Sequence, residues 1–447
     1  MNKIPRMWNL NFNIVVVGSF ISMMGHTCAT FAISLLTFDA TGSVMLFALM
    51  QVASILPRII APMIAGTFFD RHSRRKAIPM LDYCYTIIFA TVTLLLYFNS
   101  FVYWMYIVVA LLLGSIDGTY MVAFDSLFPL FVTNNTARKA YSINSMLMPI
   151  ASVITSPLTL LGYDSIGATN IFLGATILFA LTATSELFIR VREPHLMLIR
   201  PAEQAKLPPS PKEIELFQQG VNIVDTLERH QKRNFFADFK EGIKYIFGEK
   251  GLLAITIYFF VISLCGAVQS TLILPYFRSN YELIINGITF NGMWAYLIIF
   301  GCSTIGRIVG ATVQYKVKFN EGKKFNVAVF VYICTNCISI IVFHLPLYLM
   351  ALTMFFEGAL AVTSYNIRIS STQIYVPDQK RGRFNGAFLF FNMLGSILGQ
   401  LLAGSIGDLG WSVPIIISCV FAVNLLSVFI IIIPARKHIK PIYNINI

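Results

Sequence analysis

Apolar runs long enough to cross a bilayer recur twelve times along this chain, and no other feature restricts its fold as severely. A spanning helix needs about 20 mostly apolar residues to traverse roughly 30 Å of hydrocarbon. The runs fall at 11–38, 43–69, 77–98, 101–128, 140–163 and 168–190, then at 251–276, 288–314, 325–344, 346–373, 384–408 and 413–434. Charged residues make up 12% of the sequence, against about 25% in soluble chains. In lipid the backbone must satisfy its own hydrogen bonds, which leaves helices or closed barrels, and runs of this length select helices. The expected fold is an all-α integral membrane protein with twelve transmembrane helices. The first run follows Lys3 and Arg6 but is too long for the apolar core of a cleaved signal, so it reads as a retained helix.

Topology follows from the basic residues. With the amino terminus inside, 29 of the 33 lysines and arginines fall in segments on that side, while the outer loops hold Arg278 alone. Positive segments stay cytoplasmic, which places both termini there, in the inner or plasma membrane of the cell. The net charge of +12 therefore reports topology, and a nucleic-acid partner is excluded. Two six-helix halves, 1–190 and 251–447, flank a linker at 191–250. Within it LPPSPKE marks a turn-rich stretch. FFADFKEGIKYIF then places Phe235, Phe239, Ile243, Ile246 and Phe247 on one face of an interfacial helix, with Lys240 and Lys244 elsewhere. The halves repeat one another: LLLGSIDGTYMVAF in the fourth run aligns with LTMFFEGALAVTSY in the tenth, matching Asp117-Gly118 with Glu357-Gly358.

Between the second and third runs, GTFFDRHSRRKA carries five formal charges in twelve residues. Arginines and lysines there anchor a short turn in the aqueous headgroup zone. The spacing Gly66-x-x-x-Asp70-Arg71-x-x-Arg74-Arg75 resembles the loop 2–3 signature of the major facilitator superfamily, with Ser73 where that family usually has glycine. LLTFDATGSV, ILPRIIAPMIAG and NMLGSILGQLLAGSIGD resemble the proton-coupled efflux branch that includes macrolide and siderophore exporters. In the fifth run Ser156-Pro157 stands where antiporters of the superfamily often carry Gly-Pro. The resemblance implies a cytoplasmic latch beyond topology control. Asp70 would face the start of the eleventh span, where a helix dipole attracts an anion, and Arg71 or Arg74 would pair with Asp125. It also implies that spans one, four, seven and ten line a central cavity.

Ionisable groups deep in a membrane are functional candidates by default. Asp117 and Glu357 sit at equivalent points of the repeat. A carboxyl moved between apolar and watery surroundings takes up and releases a proton, so each reads either as a proton-coupling or substrate contact, or as an acid hydrogen-bonded between helices. Arg58 in ILPRIIAP is too deep to reach headgroups; it pairs with Asp82 or Asp117, or binds an anionic substrate group. His26 either relays protons or binds substrate, or is a neutral hydrogen-bonded histidine. Arg307, Arg368 and Glu186 lie towards helix ends, where snorkelling suffices.

All seven cysteines fall in apolar segments and read as free thiols. No P-loop, HExxH, GxSxG or metal-spaced set occurs, so neither an enzyme nor a cofactor or metal site is expected. The expected function is secondary active transport, as a monomer, of a small amphipathic molecule. Protons would drive its export by alternating access, with membrane lipid as the surrounding partner. An uptake symporter or lysolipid transporter using Arg58 is the alternative, and a non-transporting receptor or scaffold is the alternative of another class.

Overall fold

A computed structural model gives the arrangement of residues 8–69, 71–133, 136–197, 201–218, 235–279, 282–285, 288–316 and 321–444. By packing, the chain forms two units, 1–40 with 53–233 and 41–52 with 234–447.

The first unit is built on α1 (Leu10–Thr41), α2 (Val44–Phe69, from residue 53 onward), α3 (Arg74–Tyr97), α4 (Tyr103–Leu127) and α5 (Ala137–Glu186). The last is 50 residues long, roughly 75 Å at 1.5 Å per residue and more than twice the hydrocarbon thickness. It is two helices end to end, broken at Gly167, whose φ of 81° and ψ of 159° suit a residue without a Cβ. Eleven helices among the described residues are long and apolar enough to cross a membrane. With α5 crossing twice, the fold is the expected twelve-helix membrane protein. Phe12, Phe124, Phe128 and Phe131 centre the core of this unit near its charged loop.

After α5 the chain does not run free. Short helices α6 (Pro201–Ala205) and α7 (Pro211–Gln218) group with the first unit. Ser210 and Glu213 form a reciprocal capping box: the Glu213 amide donates to Ser210 Oγ at 3.1 Å and the Ser210 amide to Glu213 Oε2 at 3.3 Å. The stretch expected to be a linker is thus divided, because α8 (Phe235–Gly248) groups with the second unit. Phe239, Ile243 and Ile246 of α8 pack into that core while Phe247 is exposed; the Phe235 side chain lies outside the described residues.

The second unit continues with α9 (Lys250–Ser279), a hairpin of β1 (Glu282–Ile285) and β2 (Ile288–Asn291), then α10 (Met293–Lys316), α11 (Lys324–Ile341), α12 (Leu347–Tyr375), α13 (Asp378–Gly407), α14 (Val413–Ser427) and α15 (Arg436–Tyr443). The hairpin corrects the expected start of the eighth span at residue 288. Its antiparallel register sets Ile285 against Ile288 and leaves two residues between the strands. Their sequence, Asn286-Gly287, is a strong hairpin signal between apolar runs, and β-branched neighbours favour extension. In this unit Asp408 accepts the Val44 amide at 2.7 Å, the Met45 amide at 3.2 Å and Ser43 Oγ at 2.7 Å, which caps the start of α2.

Helices α10 and α12 meet backbone to backbone. A Cβ on Gly306 would collide with the Phe355 carbonyl, one on Gly310 would come 2.6 Å from Ala359 O, and one on Gly358 would collide with Ser303 O. Small residues permit such close approach in membranes. Gly306→Ala should therefore lower the thermal midpoint of the detergent-solubilised protein, with a destabilisation of about 1–3 kcal/mol. Gly301→Ala on the same helix, where a Cβ meets nothing within 4 Å, should leave it unchanged.

Candidate functional site

Four helices of the first unit bring one polar group each to a common point. Pro57 and Pro62 bracket Arg58 on α2, and Gly118 on α4 lets the helices close, its Cβ position lying 3.2 Å from Arg58 Cα. Asp117, the residue before that glycine, receives Arg58: Nε stands 2.6 Å from Asp117 Oδ2. From α1, His26 stands 2.5 Å from Arg58 Nη2 through Nε2 and 3.8 Å from Asp117 Oδ1 through Nδ1. A guanidinium only donates, so Nε2 accepts and the imidazole carries its hydrogen on Nδ1. That hydrogen faces Tyr85 on α3, whose hydroxyl lies 3.2 Å from Nδ1 and donates to the Leu113 carbonyl at 3.2 Å. Of the partners open to Arg58 in the sequence, Asp117 is the one it meets. His26 stands among them as a buried, hydrogen-bonded, neutral ring.

A second polar cluster lies in the same unit, nearer the start of α3 and at the end of α5. Asp82 on α3 is fully buried and accepts Ser22 Oγ at 2.5 Å, and Tyr120 donates to Ser19 Oγ at 3.0 Å. Glu186 lies beside them with 1% exposure. This corrects the expectation that Glu186 snorkels. It turns inward against α1, where a Cβ on Gly18 would stand 2.7 Å from Glu186 Oε1.

The charged turn is fastened to the segment that follows α5. Ser73 caps α3, accepting the Lys76 amide at 3.3 Å, and its hydroxyl donates to the Glu193 carboxylate. Glu193 also accepts the amides of Arg74 at 2.8 Å and Arg75 at 3.4 Å, so an anion sits on a helix amino terminus. Arg75 Nη1 donates to the Ile189 carbonyl at 3.1 Å and Lys76 pairs with Glu203 at 2.5 Å. The serine that departs from the family's usual glycine is therefore the cap itself. Gly66 lies in the last turn of α2 with open space where a Cβ would be, Arg71 is exposed, and Asp70 lies outside the described residues. The expected pairing with Asp125 is not what the geometry gives. Arg74 Nη1 reaches the neighbouring carbonyl of Ser126 at 3.4 Å, while Asp125 faces outward with no ion pair among the described residues. Glu193→Ala should uncap α3, lowering the thermal midpoint by the equivalent of about 1–2 kcal/mol and speeding tryptic cleavage between Arg71 and Lys76.

The second unit holds a cavity of about 750 Å³. Glu357 lines it, with Ser303 Oγ donating to Oε2 at 3.5 Å, and so does Arg307, which lies within electrostatic reach. Gly358 here packs against the Arg307 amide as Gly118 packs against Arg58. Each unit thus repeats an arginine on one helix opposite an acid-glycine pair on another, closed as an ion pair in the first unit. Among the described residues Glu357 is in no ion pair. Arg307 and Arg368, expected to snorkel at helix ends, both line this cavity. Arg368 is only 8% exposed, its guanidinium 4.5 Å from the Phe388 ring centroid and 5.3 Å from that of Phe259. The repeated Arg58/Arg307 placement was available in the sequence as a partner signal for Glu357; the burial of Arg368 had no such signal.

The family model for the Major Facilitator Superfamily matches residues 15–372. The chain belongs to that superfamily. Macrolide efflux protein A of Streptococcus pyogenes is 22% identical to this facilitator over 277 residues, 61% of each chain. The facilitator thus spans about 61% of the length of the curated relatives it matches. A mutant of the nucleoside transporter NupG superposes with a TM-score of 0.64 at 12% identity, covering 96% of this chain and 100% of that one. A mutant peptide transporter POT in complex with alafosfalin gives 0.63 at 12% identity, covering 96% and 95%. At such identity the likeness establishes a shared fold alone.

If Arg58 and Asp117 hold one another, each single change strands a charge in the bundle. Arg58→Leu and Asp117→Leu should each destabilise the detergent-solubilised facilitator by about 1–3 kcal/mol. The double variant should be less destabilised than the two effects added. Strict additivity in thermal midpoints would mean that the pair is not energetically coupled.

Proposed function

We propose that this facilitator is a proton-driven exporter of amphipathic organic solutes, working by alternating access as a monomer in the cell membrane with both termini cytoplasmic. The observation that carries the reading is Glu357. It is an acid on a cavity wall with one weak hydrogen bond and a nearby cation that it does not contact. Such a carboxyl can exchange its proton when solute or Arg307 approaches, because a new charge within a few ångströms alters which form is favoured. Asp117 is the counterpart in the first unit, where proton uptake would release Arg58 and His26. The outward direction is supported by the partial similarity to a macrolide efflux protein. Asp70, Arg71, Arg74, Arg75 and Gly66 are read as the cytoplasmic latch, with Glu193 added as the group that secures it.

An uptake or lysolipid carrier that binds an anion through Arg58 finds less support, since that guanidinium already faces Asp117 and His26. In proteoliposomes carrying an imposed pH gradient, transported solutes should dissipate the gradient. Glu357→Gln should reduce that solute-dependent proton flux on the order of tenfold or more, and Asp117→Asn should blunt it. Normal coupling in both variants would sink the reading. Ligand binding without any flux would move the protein to the receptor class.

A further inference from the structure

We propose that the cavity of the second unit contains an anion-binding subsite at Arg368, which takes the carboxylate or phosphate group of an amphiphilic solute. The inference rests on the reading that this cavity receives the transported molecule.

Arg368 projects from α12 into a wall where its charge has no counter-ion. Among the described residues no ion pair reaches the guanidinium, and Nε has no hydrogen-bond acceptor. The groups that face the guanidinium are the phenols of Tyr365, which hydrogen-bonds to it, and of Tyr443 and Tyr332, none of which carries a negative charge in ordinary conditions. Rings of Phe388, Tyr365 and Phe259 stand 4.5, 5.1 and 5.3 Å from the guanidinium carbon. Aromatic faces hold a cation in position without accepting from its in-plane N–H groups, and one neutral phenol, that of Tyr365, satisfies only part of a five-donor fork whose Nε has no acceptor. A charge buried to this degree is destabilising unless paired, and a guanidinium presents a planar fork matched to carboxylate or phosphate.

The rest of the cavity fits the remainder of such a molecule. Ile262, Leu389 and Phe421 supply apolar wall, and Gln373 and Asn385 supply amides that can donate to further oxygens. Glu357 lies eleven residues before Arg368 on the same helix, roughly 16 Å along the axis at 1.5 Å per residue. Its nearer cation is Arg307. In formal charge the cavity carries two arginines, Arg307 and Arg368, against the one acid Glu357, and the arginine within reach of that acid is Arg307. An anionic head on Arg368 and an apolar chain along the wall satisfy both features at once.

The test is equilibrium binding to the purified full-length protein in an uncharged detergent, by calorimetric titration. One arm compares decanoate with decanamide, and the other compares lysophosphatidate with the matching monoacylglycerol. Each anion should bind wild type more tightly than its neutral congener, on the order of 10- to 100-fold for a charge-assisted pair. The tighter arm tells a soluble carboxylate from a lipid phosphate. Arg368→Gln should erase the preference while leaving the neutral congener unaffected, which also cancels partition into the micelle. Arg368→Lys, which keeps the charge but not the fork, should retain a reduced preference and serves if Arg368→Gln does not fold. Equal affinity of wild type for anion and neutral congener overturns the proposal, as does an undiminished preference in folded Arg368→Gln. Because titration needs no gradient, failure of the export reading in vesicles and failure of the subsite are read separately.

Discussion

Hydrocarbon accepts a helix because the helix satisfies its own backbone, and it accepts a charged side chain only when another group does the same for it. That constraint orders everything else in this facilitator. It makes the chain twelve crossings rather than a globule. It explains the surroundings of several ionisable groups within the bundles. Arg58 meets Asp117, Asp82 meets a serine hydroxyl, and Glu357 lies on a cavity wall. Arg368 answers the same constraint with three aromatic rings, which compensate a cation only in part.

The internal repeat is most informative where its copies differ. Both units set an arginine opposite an acid followed by glycine, and in both the glycine lets two backbones approach. The first copy is closed, with histidine and tyrosine adding further hydrogen bonds. The second is open onto a cavity lined by polar amides and aromatic rings. The shared scaffold thus has one tight and one loose copy. The tight copy holds its acid in an ion pair, and the loose copy leaves its acid on a cavity wall.

Much of this architecture was legible before any coordinates, because length and hydropathy report directly on crossing a bilayer. The break of α5 at Gly167 falls in the gap read between the fifth and sixth runs, and the match of Asp117 with Glu357 located both acids. Other features were hidden for a common reason. Whether Glu186 or Arg368 turns inward depends on the rotation of its helix against neighbours far away in sequence, which hydropathy along one segment does not encode. The hairpin at 282–291 was concealed differently: ELII and ITF are as apolar as a helix would be, and only the Asn-Gly between them distinguishes the two. Glu193 lies in a stretch that reads as linker, and its contacts appear only when the amino terminus of α3 is brought to it.

That last contact has a consequence for how the protein is made. Glu193 follows Ser73 by 120 residues and lies beyond the sixth crossing. Ribosomes extend a chain at about 5–20 residues per second, so the start of α3 waits on the order of ten seconds for its cap. During that interval water must serve its exposed amides. The first bundle is therefore fastened from its downstream end, and a nascent chain halted before Glu193 would hold all six of its crossings with the bolt still missing.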